Sequence, residues 1–290
     1  METVAIVGVG LIGASFGLAL RKAGFAGQLL GVSSPRSIEA GVRVGAIERG
    51  VPLAEAASGA DLIYLSQPIE QILETLKSLG PLVRPGCLIT DAGSTKALIV
   101  STAQEHLPPD AFLGGHPMAG KEQRGAEAAD ADLFQGKPYV LTLQTLSGKH
   151  TSPNPQEADF RAWLLRLGAV IVEMNPCQHD ATVALTSHLP QLLSTTLAAT
   201  LAGQDNQYLS QVFGPGLLDM TRLSLSAPEV WMSVLATNKA AVQDAIGLFQ
   251  LTLTDLQAQL QQGSILDLFN LASKFSTILR NSPYSNGSTK

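Results

Sequence analysis

Apolar positions in the first 174 residues fall into short runs separated by amphipathic stretches. Residues 4–9 (VAIVGV) make a β-branched run that ends in glycines, and 11–23 then space small and apolar residues as a helix lying on a sheet does. A second run covers 28–32 (QLLGV), and others recur at 62–65 (LIYL), 87–90 (CLIT), 112–114, 139–143 (YVLTL) and 169–173 (AVIVE). Helical spacing fills 37–44, 69–79, 96–106 and 156–167. Strand and helix alternating at this pitch predict a parallel sheet covered on both faces, since each parallel pair needs a crossover and the crossovers are helical. Residues 144–155 (QTLSGKHTSPNP) are polar and rich in turn formers, which predicts an exposed loop.

Beyond residue 175 the β runs stop. Segments 181–202, 228–262 and 265–279 carry apolar residues at helical steps. One stripe runs through Ile246, Phe249, Leu253, Leu256 and Leu260. It suits a helical core, or a helix that pairs with a second copy of the chain, and both can hold. The tail 281–290 (NSPYSNGSTK) is polar and expected to be disordered. The predicted class is therefore α/β: a Rossmann-like doubly wound sheet over residues 1–174, followed by an all-helical dimerisation domain over 175–290.

Composition narrows the function. Hydrophobic residues are 45% and charged residues 15%, an ordinary globular balance. A net charge of −5 argues against a surface that wraps nucleic acid, which needs a basic face. The start Met1-Glu2-Thr3 lacks the basic lead of a signal peptide, and no apolar stretch reaches the roughly 18 residues of a membrane span. Cys87 and Cys177 show no paired spacing, so neither structural zinc nor a disulfide framework is expected. A cytoplasmic protein without metal or membrane partner is the expectation.

Gly8, Gly10 and Gly13 form G-x-G-x-x-G between a predicted strand and a predicted helix. Gly8 permits the tight turn, Gly10 lets a diphosphate approach the backbone, and Gly13 allows close helix–strand packing. The phosphates would sit at the helix start, on Leu11 and Ile12, where unpaired N–H groups and the helix dipole favour anions. A dinucleotide site follows. NAD sites normally end the second strand with Asp or Glu; here it runs Gly31-Val32-Ser33-Ser34-Pro35-Arg36. Nothing there repels a 2′-phosphate, Ser33 and Ser34 offer hydroxyls, and Arg36 offers a charged fork of donors. NADP is the expected coenzyme, with NAD a weaker substitute.

Two further segments lie past strand ends, where doubly wound sheets place ligands. One is Thr90-Asp91-Ala92-Gly93-Ser94-Thr95-Lys96; the other, Gly114-Gly115-His116-Pro117-Met118-Ala119-Gly120, holds a histidine between glycines and a proline. An imidazole so placed is a candidate for acid–base work.

With these residues in hand, the chain resembles the prephenate/arogenate dehydrogenases of tyrosine biosynthesis over nearly its whole length. The resemblance rests on GVGLIGAS (8–15), the D-x-GS-x-K segment (91–96), GGHPMAG (114–120), the stretch from His179-Asp180 to SHLP (187–190), and D-x-TR followed by PE-x-W (219–231). It implies oxidation of a cyclohexadienol hydroxyl while the ring carboxylate leaves as carbon dioxide. It implies His116 as the group that takes the hydroxyl proton and Ser94 as a bridge between that hydroxyl and the nicotinamide. It implies Arg222 as the partner of the ring carboxylate, Glu122 as an acidic residue that orders the pocket, and Asp180, His188 and Trp231 around the substrate. Ser66 and Pro68 fall where relatives contact the coenzyme, although Ser66-Gln67-Pro68 departs from the usual residues. A homodimer, a small-molecule substrate and tyrosine as a candidate feedback ligand come with the resemblance.

Departures bear on the substrate. Gln191 stands where many relatives carry a second histidine after SHLP, and Leu217-Leu218-Asp219 follows Gly216 where many carry Arg or Lys. Both remove a polar or basic group near the substrate's side chain, so prephenate and arogenate both remain open. Two rivals remain. A hydroxyacid or imine oxidoreductase would need a catalytic lysine early in the helical domain, and Lys239 comes late for that. A non-catalytic NADP-binding sensor would need the glycine loop without His116, Ser94 and Arg222 together.

Overall fold

The computed structural model describes residues 1–142, 154–282 and 284. The chain forms two compact units, Met1–His179 with Ser273–Lys290, and Asp180–Ala272.

The first unit begins with β1 (Thr3–Val7), α1 (Leu11–Lys22), β2 (Gln28–Val32), α2 (Pro35–Arg43), β3 (Arg49–Gly50), α3 (Leu53–Gly59), β4 (Leu62–Leu65) and α4 (Ile69–Leu79). It continues with β5 (Leu88–Asp91), α5 (Ala97–His106), β6 (Phe112–Pro117), β7 (Pro138–Thr142), α6 (Pro155–Arg166) and β8 (Val170–Met174). Among the described residues eight strands hydrogen-bond in the order β3-β2-β1-β4-β5-β6-β7-β8. Leu62–Leu65 is wholly buried and apolar, as a central parallel strand must be when both faces are covered.

One pairing differs from the all-parallel expectation. β6 and β7 run antiparallel, with His116 opposite Val140. The connection between them holds only a short 3₁₀ turn at Ala126–Ala128, so no crossover helix brings the chain back to start a parallel strand. Of the expected strand over 139–143, the residues up to Thr142 lie in β7 and residue 143 lies outside the described residues, as does the expected loop over 144–155 up to 153.

The core of this unit forms where α1 packs on the sheet. The Phe16 ring stacks on Tyr64 at 4.0 Å, and Phe134 and Phe160 meet Phe16 edge-on. Close approach of α1 depends on glycine: a Cβ on Gly17 would run into the carbonyl of Ala46.

Helices alone follow: α7 (Pro176–Val183), a π-helical turn at Ala184–His188, α8 (Leu189–Ala202), α9 (Pro215–Thr221), a 3₁₀ turn at Arg222–Leu225, α10 (Pro228–Thr237), α11 (Lys239–Gln262) and α12 (Leu266–Asn281). The helical spacing expected over 228–262 is realised as two helices, α10 and α11, that meet at Asn238. Ala184, Val242 and Ala245 form a small buried cluster, with Ile246 packed against it. Further along the same stripe Leu253 and Leu260 are 44% and 58% exposed, so α11 buries only its first turns within the chain. Of the tail expected to be disordered, 283 and 285–290 lie outside the described residues. No helix among the described residues is long and apolar enough to cross a membrane.

Candidate active site

Strand order reverses between β1 and β4, which opens a crevice at their carboxyl ends. The glycine loop sits there. Gly8 has φ +97°, and a Cβ on it would come within 2.7 Å of the Ser66 carbonyl carbon, just past β4. A Cβ on Gly13 would overlap the Gly8 carbonyl and Ser66 Oγ. Ser66 Oγ donates to the Gly8 carbonyl at 2.8 Å, bracing the loop from the neighbouring strand. Around Gly10, by contrast, a Cβ would meet nothing within 4 Å. Gly10 caps α1, whose first turn (Leu11, Ile12) carries no acidic residue. Two glycines are thus needed by packing and the third leaves backbone open at a helix start. That is the shape a dinucleotide's diphosphate requires, and these residues fit such a coenzyme. Pro68 caps α4 beside the same crevice.

At the tip of β2, Ser33, Ser34 and Arg36 are exposed. Ser34 Oγ caps α2, accepting from the Ser37 amide at 3.3 Å, and no acidic residue stands in that helix's first turn.

The D-x-GS-x-K segment and the Gly-Gly-His turn are bound together by a buried ion pair. Asp91 ends β5 and Lys96 caps α5; both are fully buried. Lys96 Nζ donates to Asp91 Oδ2 and, at 2.7 Å, to the Gly115 carbonyl. Asp91 also accepts from the amides of Gly93 at 2.8 Å and Gly115 at 3.0 Å. A buried carboxylate with a cation and two amides on it is well satisfied. Both backbone groups of Gly115 are held by this pair, and a Cβ on Gly115 would come within 2.6 Å of the Asp91 carbonyl. His116 follows directly and is 8% exposed. Ser94 lies half-buried in the bend between Asp91 and Lys96, so the same ion pair brackets Ser94 and holds the residue before His116.

Behind Asp91, Tyr139 donates to Tyr64 Oη at 3.3 Å. Burial and the nearby Asp91 carboxylate push both phenols well above their ordinary range, so both stay neutral. His179 Nε2 lies 2.8 Å from His116 Nδ1. His179 stands in the sequence beside Asp180 with nothing local to mark a role. Its partner is 63 residues upstream, a distance no local pattern spans.

The helical unit gathers another set. Asn238 Nδ2 donates to the Asp180 carbonyl at 2.8 Å and lies 3.3 Å from His188 Nδ1. The Trp231 ring meets His188 edge-on at 5.9 Å. His188 ends the π-helical turn, an irregularity frequent where a helix re-aims a functional side chain. Asn238, unforeseen in the sequence, thus links the Asp180 main chain to His188, and Trp231 meets His188 in turn. Arg222 is exposed at the start of its 3₁₀ turn. That turn is braced from α8: Gln191 Nε2 donates to the Leu223 carbonyl at 2.7 Å and Ser194 Oγ accepts from the Ser224 amide at 3.1 Å. Leu218 is 58% exposed. Glu122 is exposed in the loop after β6.

Comparison with known proteins agrees along the chain. The family model for the prephenate dehydrogenase nucleotide-binding domain matches residues 16–173, and that for the prephenate dehydrogenase dimerization domain matches 175–274. Prephenate dehydrogenase of Lactococcus lactis subsp. cremoris is 32% identical over 261 residues, covering 88% of this chain and 70% of that protein. The crystal structure of prephenate dehydrogenase from A. aeolicus in complex with hydroxyphenyl propionate and NAD+ aligns with a TM-score of 0.85 at 30% identity, covering 96% of each chain. Synechocystis arogenate dehydrogenase aligns with a TM-score of 0.80 at 30% identity, covering 95% of this chain and 98% of that one.

Proposed function

Because the chain belongs to the prephenate dehydrogenase family, an oxidoreductase family of tyrosine biosynthesis, we propose that it oxidises and decarboxylates prephenate or arogenate with NADP as hydride acceptor. The observation that carries the reading is the clamp of Asp91 and Lys96 on Gly115. It holds a buried imidazole at the carboxyl edge of the same sheet that bears the glycine cradle.

When bound, the nicotinamide coenzyme supplies the hydride acceptor. His116 takes the proton of the ring hydroxyl as the C–H bond gives up its hydride, and the carbinol becomes a carbonyl. Ser94 hydrogen-bonds that oxygen and keeps it in line. The ring–carboxylate bond then breaks, its electron pair enters the ring and ends on the carbonyl oxygen, and the His116 imidazolium returns the proton to give a phenol. Carbon dioxide leaves, and aromatisation makes the step irreversible. Arg222 binds the substrate's ring carboxylate through its planar fork. Asp180, His188, Trp231 and Glu122 shape the pocket around the rest of the substrate.

NADP is favoured by the exposed Ser33, Ser34 and Arg36 with no acid in the first turn of α2. The A. aeolicus relative was crystallised with NAD+, so the coenzyme is a property to measure on this chain. We assign coenzyme binding to residues 1–174 and a homodimer contact to 175–290. Leu248, Leu251, Leu253 and Leu260 on α11 are all more than 40% exposed in the single chain, large apolar side chains that a second copy would cover. The test is formation of reduced coenzyme with prephenate and with arogenate, each with NADP and NAD. Turnover of at least one substrate, faster with NADP, is expected. No turnover with either substrate would remove the proposal, and faster turnover with NAD would remove its coenzyme half.

A further inference from the structure

His179 takes no part in the steps above, yet it is fully buried and makes a 2.8 Å contact with the ring proposed to do the chemistry. The two residues are anchored independently. His116 is held by pairing of β6 with β7 and by the clamp on Gly115. His179 stands in the first turn of α7, and its amide donates to the Asn175 carbonyl at 2.9 Å. Asn175 and Gln178 cap that helix reciprocally, Asn175 Oδ1 accepting from the Gln178 amide at 2.8 Å and Gln178 Oε1 from the Asn175 amide at 3.3 Å. The short separation is therefore a property of two fixed backbones, with the two rings edge-to-face at 70°.

Two nitrogens this close need one N–H and one lone pair. Two neutral imidazoles can satisfy this in either direction. If His179 donates, His116 accepts on Nδ1 and carries its own proton on Nε2, where it cannot take another. If His116 donates from Nδ1, its lone pair lies on Nε2 and is available to a hydroxyl. Only the second direction is compatible with a base at 116.

We infer that His179 is the positioning residue for this reaction: its Nε2 accepts from His116 Nδ1–H, fixes that tautomer and aims Nε2 of His116 at the substrate hydroxyl. The inference rests on the reading of His116 as the base. The same bond survives the chemical step, because the imidazolium formed at 116 still carries its Nδ1 proton. His179 thus holds the place of the orienting third group in acid–base relays, but as a neutral ring. It supplies direction and tautomer without the ion pair that a carboxylate would add.

The test compares wild type, H179L, H179Q and H116N in the full-length chain, with three readouts: steady-state turnover, coenzyme titration, and ¹⁵N-histidine NMR of the His116 tautomer. H179L is expected to lower kcat about 10- to 100-fold, the size of loss when a group that orients a metal-bound imidazole is removed, with KM and coenzyme affinity unchanged. H179Q places an amide oxygen near the former Nε2 and is expected to recover most of kcat. The NMR is expected to show His116 protonated at Nδ1 in wild type and H179Q, with that preference lost in H179L. Wild-type kcat in H179L, or wild-type His116 protonated at Nε2 alone, would overturn the inference. So would an H179Q variant that folds and binds coenzyme with no recovery of kcat. If H179L does not fold, the wild-type and H179Q spectra and the H179Q turnover decide. H116N at full activity would sink the base reading itself, whereas an inactive H116N beside an unaffected H179L would sink this inference alone.

Discussion

Replacing Lys96 by Met removes the cation from a fully buried pair while keeping most of the side-chain volume. Asp91 would retain its two amide donors, from Gly93 and Gly115, but its charge would have no counter-ion, and the Gly115 carbonyl would lose the ammonium that it accepts from. Breaking one side of a buried ion pair destabilises by about 3–5 kcal/mol, because the surviving charge is stranded away from water. At roughly 2–4 °C per kcal/mol for a unit of this size, the melting temperature should fall by about 6–20 °C. The pair also holds the residue before His116, so kcat should drop at temperatures where the variant is folded. Differential scanning calorimetry and turnover on the same preparations give both numbers. The double variant D91N/K96M carries no stranded charge. It should be less destabilised than the sum of the single variants by about 0.5–3 kcal/mol, the range for directly coupled residues. A K96M protein within about 1 kcal/mol of wild type, below the range for a broken buried pair, and with wild-type kcat would refute the clamp.

Other parts of the molecule yield independent expectations. Gly13→Ala should weaken coenzyme binding about 10- to 100-fold in a fluorescence titration, since its Cβ overlaps Gly8 and Ser66 and the overpacked loop must shift; unchanged affinity would contradict the cradle. Burial pushes the Cys87 thiol up to about 12, so at pH 8 only about 10⁻⁴ of it is thiolate. Iodoacetamide should therefore modify the exposed Cys177 and spare Cys87 until the chain is unfolded, as read by peptide mass spectrometry. Burial raises the Asp61 carboxyl, but the amides of Glu2 and Thr3 and the Arg84 guanidinium outweigh it and hold it below its ordinary value. Its folded value being depressed, the stability it contributes is present above its unfolded pKa of about 3.9 and is lost as pH falls through the folded value. Urea midpoints of wild type should fall more steeply than those of D61N over that acid window; parallel curves would show that the carboxylate adds nothing.

Much of the nucleotide-binding fold was legible in the chain because its signals are local. A β-branched run, three glycines at fixed steps and a helix can be read within 23 residues, and each later run bounded by turn formers marks a strand by the same logic. What escaped was set by distance or by shortness. β3 spans two residues, Arg49–Gly50, too few for any period. Alternation is the same for both strand directions, so β7 gave no hint that it runs against β6; the missing crossover helix did. In the helical region, α9 starts at Gly214, Pro215 and Gly216, residues that read as breaks.

The site divides along the same line. Gly8, Gly13 and the Gly-Gly-His turn announce themselves by residue type, because backbones pack there with no space for a Cβ. Lys96 stands in the sequence only as part of the D-x-GS-x-K motif; the fold reveals that it is fully buried and donates to Asp91 and the Gly115 carbonyl. His179 and Asn238 act through partners 63 and 58 residues away, and such pairings exist only once the chain is folded. Gln191 illustrates the converse. Its departure from the relatives' histidine was visible in the sequence, but its use as a brace on the turn that carries Arg222 was not.

The central claim is that a rigidly held imidazole at 116 takes the hydroxyl proton while the glycine cradle independently holds the coenzyme. Pre-steady-state absorbance of reduced coenzyme in wild type and H116N, alongside coenzyme titration of both, tests it most directly. The account predicts that H116N slows hydride transfer by about 10²–10⁴ and leaves coenzyme affinity unchanged. Hydride transfer at the wild-type rate in H116N would contradict it.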